Sequence, residues 1–180
     1  MKKSAQVLHR GFTLVELLVV IAIIAILAAV VVLIINPLEL TKRGRDAARL
    51  TDLSNLQQAI NVAVQEATAS SAAILCEGTT VPCDGSSNTG TRTADGTGWV
   101  KVNMSAQKSV SVPTLPVDPT NSTSLHYTYC SDGDAWEINT TLESQQQSGK
   151  AGNDGGDEGQ FYEVGSNLKL ISASGGSCTY

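Results

Sequence analysis

The apolar residues of this chain fall into three regimes. From Phe12 to Ile35 the sequence is apolar apart from Thr13 and one charge, Glu16. As a helix, Leu14 to Ile35 would rise about 33 Å at ~1.5 Å per residue, enough to cross a hydrocarbon core of ~30 Å. The run is longer than the ~7–15-residue apolar stretch of a secretory signal peptide, and no small-residue cleavage site with a polar start follows it. It is therefore expected to stay in the mature chain. Asn36-Pro37 interrupts the run: Pro37 has no N–H to give the carbonyl of Leu33, and Asn36 is pushed out of the α region. Gly44 weakens the next turns. A bend with soft helix is expected over 36–44, braced by Glu39 and Arg43 at i,i+4.

The second regime has helical period. Ala47, Leu50, Leu53, Leu56, Ile60, Val64 and Ala67 recur every three or four residues, while Arg45, Arg49, Asp52, Asn55 and Gln58 fall largely off that stripe. This predicts a half-buried helix packed on a sheet; the pattern is too short to favour a coiled coil. The third regime alternates with period two. Trp99 to Met104, His126 to Cys130, Trp136 to Thr140, Phe161 to Val164 and Leu168 to Ile171 read as strands bounded by Gly, Asp or Asn. Ser131-Asp132-Gly133-Asp134 reads as a hairpin turn. Leu75 to Gly98 is turn-rich and expected as surface loop, and PTLPVDP from Pro113 cannot continue a central strand. The sum is an α+β fold: a long N-terminal helix, half membrane and half amphipathic, on a small antiparallel sheet. It divides into 1–11, 12–35, a bend with amphipathic helix at 36–72, and an outer β domain at 73–180.

Charge refines this picture. Up to Ala72, seven Lys/Arg oppose five Asp/Glu; from Ala73 on, five oppose twelve. An acidic outer domain argues against nucleic-acid binding, which uses a basic face. That domain is poor in aromatics, so its core should be thin and gain from covalent staples. Cys76, Cys83, Cys130 and Cys178 all lie beyond the apolar run, which reads as disulfides in an oxidising compartment. Three pairings are open; Cys76–Cys83 as a local loop and Cys130–Cys178 tying down the last residues are favoured. Zinc is the weaker reading, because the Cys76–Cys83 spacing is wide and His126 is the one histidine outside the first eleven residues.

Gly11-Phe12-Thr13-Leu14-Val15-Glu16, after a short basic prefix with Lys2, Lys3 and Arg10 and before an unbroken apolar run, resembles the class III signal of type IV pilins and type II secretion pseudopilins. The resemblance is specific over residues 1 to about 35. It implies that 1–11 is a leader, that a prepilin peptidase cuts between Gly11 and Phe12 on the cytoplasmic side, and that the new amine of Phe12 is methylated. Implied partners are other copies, minor pilins, and an inner-membrane assembly platform with its ATPase. The implied route is the cytoplasmic membrane, outer domain outside, and then an extracellular filament. The charge rule does not settle that orientation, because Lys42, Arg43, Arg45 and Arg49 flank the other end. LPVDP, the Tyr-x-Tyr strand and a Gly/Asp loop before the last strand are weaker likenesses to major pseudopilins.

Glu16 is the informative residue. Acidic side chains cost ~2.5–3.5 kcal/mol in spanning helices, so one retained there has a use. Four residues from Phe12, Glu16 is expected to share a helix face with it. It could pair with its own Phe12 amine or, as the resemblance implies, with that of a neighbouring subunit; the alternative is a carboxylate snorkelling at the membrane edge. In the loop Gly149–Gln160, Asp154, Asp157 and Glu158 offer hard oxygens suited to calcium, which major pseudopilins bind in a comparable loop; a solvated acidic turn is the alternative. No base–nucleophile pair or phosphate loop is legible, so no enzyme is expected. Three functions stand: a pilus subunit, a secretion pseudopilin acting as a piston, and a membrane-tethered sugar- or calcium-binding domain that never polymerises.

Overall fold

The computed structural model describes residues 11–105, 109, 112–171 and 177–180. It has two compact units, Met1–Leu40 and Thr41–Tyr180.

The first unit is dominated by helix α1, Leu14–Ile35. Its stretch Leu14–Val32 is long and apolar enough to cross a membrane, and none of it is buried. A contiguous apolar surface of this size marks a membrane or partner contact. Asn36 ends α1 in the left-handed region, φ 43° and ψ 81°. Asparagine tolerates that conformation better than other side chains with a Cβ. Its Oδ1 then accepts a bond from Glu39 N–H at 3.4 Å, and its carbonyl accepts from Leu40 N–H at 3.2 Å. One residue thus closes one helix and opens the next. Helix α2, Pro37–Glu66, starts with proline at its first position, where φ is preset and no N–H is missed. The break thus falls at Asn36, where the sequence places the interruption, and helix resumes at Pro37. Gly44 lies inside α2 with helical backbone; an interior glycine costs only about 1 kcal/mol, which its neighbours absorb.

In the second unit, α2 from Thr41 onward is followed by α3 (Ser71–Leu75), β1 (Cys83–Ser86), β2 (Thr128–Ser131), β3 (Trp136–Thr140) and β4 (Tyr162–Gly165). The strands form an antiparallel sheet in the order β1-β2-β3-β4. The β2–β3 hairpin turns at 132–135, where Gly133 has φ +93°. Leu53, Leu56, Ile60 and Ala63 of α2 pack against Tyr129, Trp136, Ile138 and Val164 of the sheet, with Trp99 and Tyr127 between loops and core. On the opposite sheet face Cys130, Leu170 and Ile171 make a smaller apolar cluster.

Three expectations change here. Trp99 to Met104 is not a strand: Trp99, Val100, Val102 and Met104 are fully buried, but the segment makes only the bridge Asp95–Asn103. Alternation reported its burial, while the core it fills lies under loops. Leu168 to Ile171 likewise contributes one bridge, Ile171–Cys178. Conversely, β1 lies within the segment expected as surface loop. A disulfide to Cys76 holds its start, and Gly85 lets it approach Trp99, whose carbonyl oxygen would lie 2.1 Å from an added Cβ.

Candidate functional site

Gly11 and Phe12 are exposed and precede α1; Thr13 is its N-cap. The Thr13 hydroxyl accepts from Glu16 N–H at 3.3 Å, and Glu16 Oε2 accepts from Thr13 N–H at 2.8 Å and from Thr13 Oγ1–H at 2.7 Å. This is a capping box. Glu16 therefore has a local task that the apolar pattern did not reveal, although T-x-x-E before an apolar run is its sequence signature. The shared helix face expected for Phe12 and Glu16 is not present in this chain, because Phe12 lies outside the helix. Among the described residues both bonds accepted by the Glu16 carboxylate end on Oε2, and none ends on Oε1.

The structure also corrects the amphipathic stripe. Ala47 is exposed, whereas Arg49 and Asp46 are fully buried. Arg49 donates from Nε and Nη2 to the two oxygens of Asp118, at 2.6 and 3.0 Å. Its Nη1 donates to Asp46 Oδ1 at 2.8 Å and to Glu143 Oε2 at 2.7 Å. Arg45 adds a forked pair to Glu143, at 2.7 and 2.8 Å. Asp46 also accepts from the N–H groups of Glu143 and Ser144, and Asp118 from those of Thr120 and Asn121. Each buried charge of this network is paired and hydrogen-bonded, the condition under which such burial is tolerated. The Arg45 hydrogen bond leads in bringing the Glu143 carboxyl down to about 2. Burial alone would raise Asp46 and Asp118, but their hydrogen bonds outweigh it and both lie below the ordinary carboxylate range. The network bolts α2 to the loops carrying Asp118 and Glu143.

The structure contains disulfides Cys76–Cys83 and Cys130–Cys178. In the acidic loop, Asp154 accepts from Gly156 N–H at 3.0 Å and Glu163 N–H at 2.8 Å. Among the described residues no three His, Cys, Asp or Glu are grouped to hold a metal ion. Below the loop lies a buried acid pair that sequence did not single out. Glu137 and Glu163 each have one oxygen without a hydrogen-bond partner. Burial first, and then Glu137, raises the Glu163 carboxyl to about 9, and burial raises Glu137.

A family model described as the prokaryotic N-terminal methylation motif matches residues 8–32. No curated protein and no solved structure matches the chain. The matched segment contains Gly11, Phe12, the capping box and most of α1, and an α+β pilin-like arrangement follows it. The chain thus carries the class III signal of type IV pilins and pseudopilins.

Proposed function

We propose that this chain is a structural subunit that polymerises into a type IV pilus after cleavage between Gly11 and Phe12 and methylation of Phe12. The observation that carries the reading is the methylation motif at 8–32 leading directly into an apolar helix whose one acid is Glu16. Cleavage creates a charged amine one residue before the N-cap. In the bilayer an unpaired carboxylate or ammonium is costly, and pairing relieves both. Oε2 of Glu16 is engaged by Thr13, and Oε1 is the oxygen offered to an amine of the next copy. Pairing at that one point fixes register where the apolar helix surfaces would tolerate sliding.

The motif points to a structural role rather than catalysis. A pseudopilin is the second reading, carried by the same motif; long surface filaments distinguish the pilus from the secretion piston. Sheared surface fractions from cells expressing the chain should contain it as filament subunit, and Glu16→Ala should insert in the membrane normally but leave the sheared fraction depleted. Wild-type filament yield from that variant would remove the pairing argument. Calcium at Asp154, Asp157 and Glu158 is tested separately by melting the full chain with and without chelator: a lowered midpoint supports the site, an unchanged one overturns it.

A further inference from the structure

The sheet face turned away from α2 carries a polar cleft. In β3, Trp136 and Ile138 enter the core shared with α2, so Asn139 alternates to the other face; in β2, Thr128 does so beside Tyr129. Thr128 and Asn139 are register partners across the two strands. They line a cavity of about 250 Å³ with Ser124, His126, Thr141 and Phe161. A second cavity of about 370 Å³ shares His126 and Thr128 and continues over Asp84 and Ser86 to Tyr180.

Asn139 is only 2% exposed, and its Nδ2 has no hydrogen-bond partner. A buried donor left unsatisfied costs about 1–3 kcal/mol, and here it belongs to a residue lining an open cleft. Neighbouring groups are held in place. His126 Nδ1 lies 3.2 Å from Ser122 O, which fixes the ring and keeps Nε2 for other bonds. Tyr180 Oη donates to Cys83 O at 2.8 Å. Phe161 is a half-buried aromatic wall.

The lining selects its ligand. Among the described residues no Lys or Arg borders either cavity, and Asp84 is the one carboxylate side chain, so an anion finds no fixed counter-charge. An apolar ligand would strand the hydroxyls of Ser124, Thr128 and Thr141 and the Asn139 amide. A sugar ring suits both demands: its hydroxyls donate and accept, and its C–H face packs on an aromatic ring. The first cavity is smaller than the ~300–1,000 Å³ of drug-sized pockets, so it accommodates one ring rather than a long chain. We propose that this cleft binds a neutral saccharide, with one pyranose against Phe161 and its oxygens on Thr128 and the Asn139 amide. The site does not depend on whether copies of the chain polymerise.

The test uses the full chain, detergent-solubilised and immobilised, against a panel of neutral glycans ending in glucose, galactose, mannose, N-acetylglucosamine or N-acetylgalactosamine, with sialylated and sulfated glycans alongside. At least one neutral glycan should bind. Phe161→Ala and Thr128→Val, checked for unchanged melting, should each weaken it about tenfold, roughly the loss of one aromatic or hydrogen-bonding contact. If one variant does not fold, Thr141→Ala on the half-exposed rim takes its place. No binding to any neutral glycan, binding to acidic glycans alone, or wild-type binding by the folded variants overturns the proposal.

Discussion

Glu16 and Arg49 are both charges in settings hostile to charge, and they differ in how far sequence reveals them. Glu16 stands out because it interrupts an apolar run, and its partner Thr13 is three residues away. Arg49 reads as a solvent-facing helix residue because its partners Asp118 and Glu143 lie 69 and 94 residues further on; no helical period reports a contact that distant. Removing Arg49 leaves Asp46 and Asp118 buried without their cation. Arg49→Met should therefore destabilise the full chain by about 3–5 kcal/mol in chemical denaturation. The titrations run in opposite directions. Glu143 is depressed to about 2 from its ordinary 4.5, so its contribution is fully present above pH 4.5 and drains away as pH falls toward 2. Glu163 is raised to about 9 from the same value, so its contribution is whole below pH 4.5 and is lost as pH rises toward 9. Glu163→Gln should accordingly raise the melting midpoint at pH 8 and change it little at pH 4. A midpoint difference that is the same at both pH values would contradict the buried acid pair.

At the scale of elements, those with local causes were the legible ones. The β2–β3 hairpin, β3 and most of β4 followed from alternation and a Gly-Asp turn, and α1 from its unbroken apolar run. What alternation could not show was which buried segments find a hydrogen-bonding neighbour. Trp99–Met104 is buried without joining the sheet, whereas Cys83–Ser86, with little strand propensity, joins through a disulfide and a glycine contact. The α1–α2 junction depends on Asn36 acting in both directions. Asn36→Ala should lose the cap and strain the left-handed residue, costing about 1 kcal/mol locally, whereas Asn36→Gly should retain the backbone conformation. Hydrogen exchange at residues 33–40 in micelles checks this: faster exchange in the alanine variant alone is expected. The two disulfides also differ in scale. Cys130–Cys178 spans 48 residues and Cys76–Cys83 seven, so the chain-entropy account assigns about 4 and about 2 kcal/mol. Cys130→Ser with Cys178→Ser should lower the midpoint more than the corresponding pair at 76 and 83.

At the scale of the whole molecule, the chain joins an exposed apolar helix to an acidic, disulfide-bonded α+β domain. The helix needs lipid or other helices around it, and the domain carries the polar surface. The motif at 8–32 implies processing by a prepilin peptidase, and the cut proposed between Gly11 and Phe12 would leave the apolar run intact while changing the charge at its start. The motif was legible because it is written in consecutive residues. The cleft proposed for a saccharide was not, because Thr128 of β2, Asn139 of β3 and Phe161 of the loop before β4 meet only when two strands and that loop assemble. The central claim is that the working protein begins at Phe12 with a modified amine matched to Glu16. Intact-mass and N-terminal fragment spectrometry of the chain from native membranes tests it most directly. The account predicts a chain lacking residues 1–11 and methylated at Phe12; a chain that keeps its first eleven residues would contradict it.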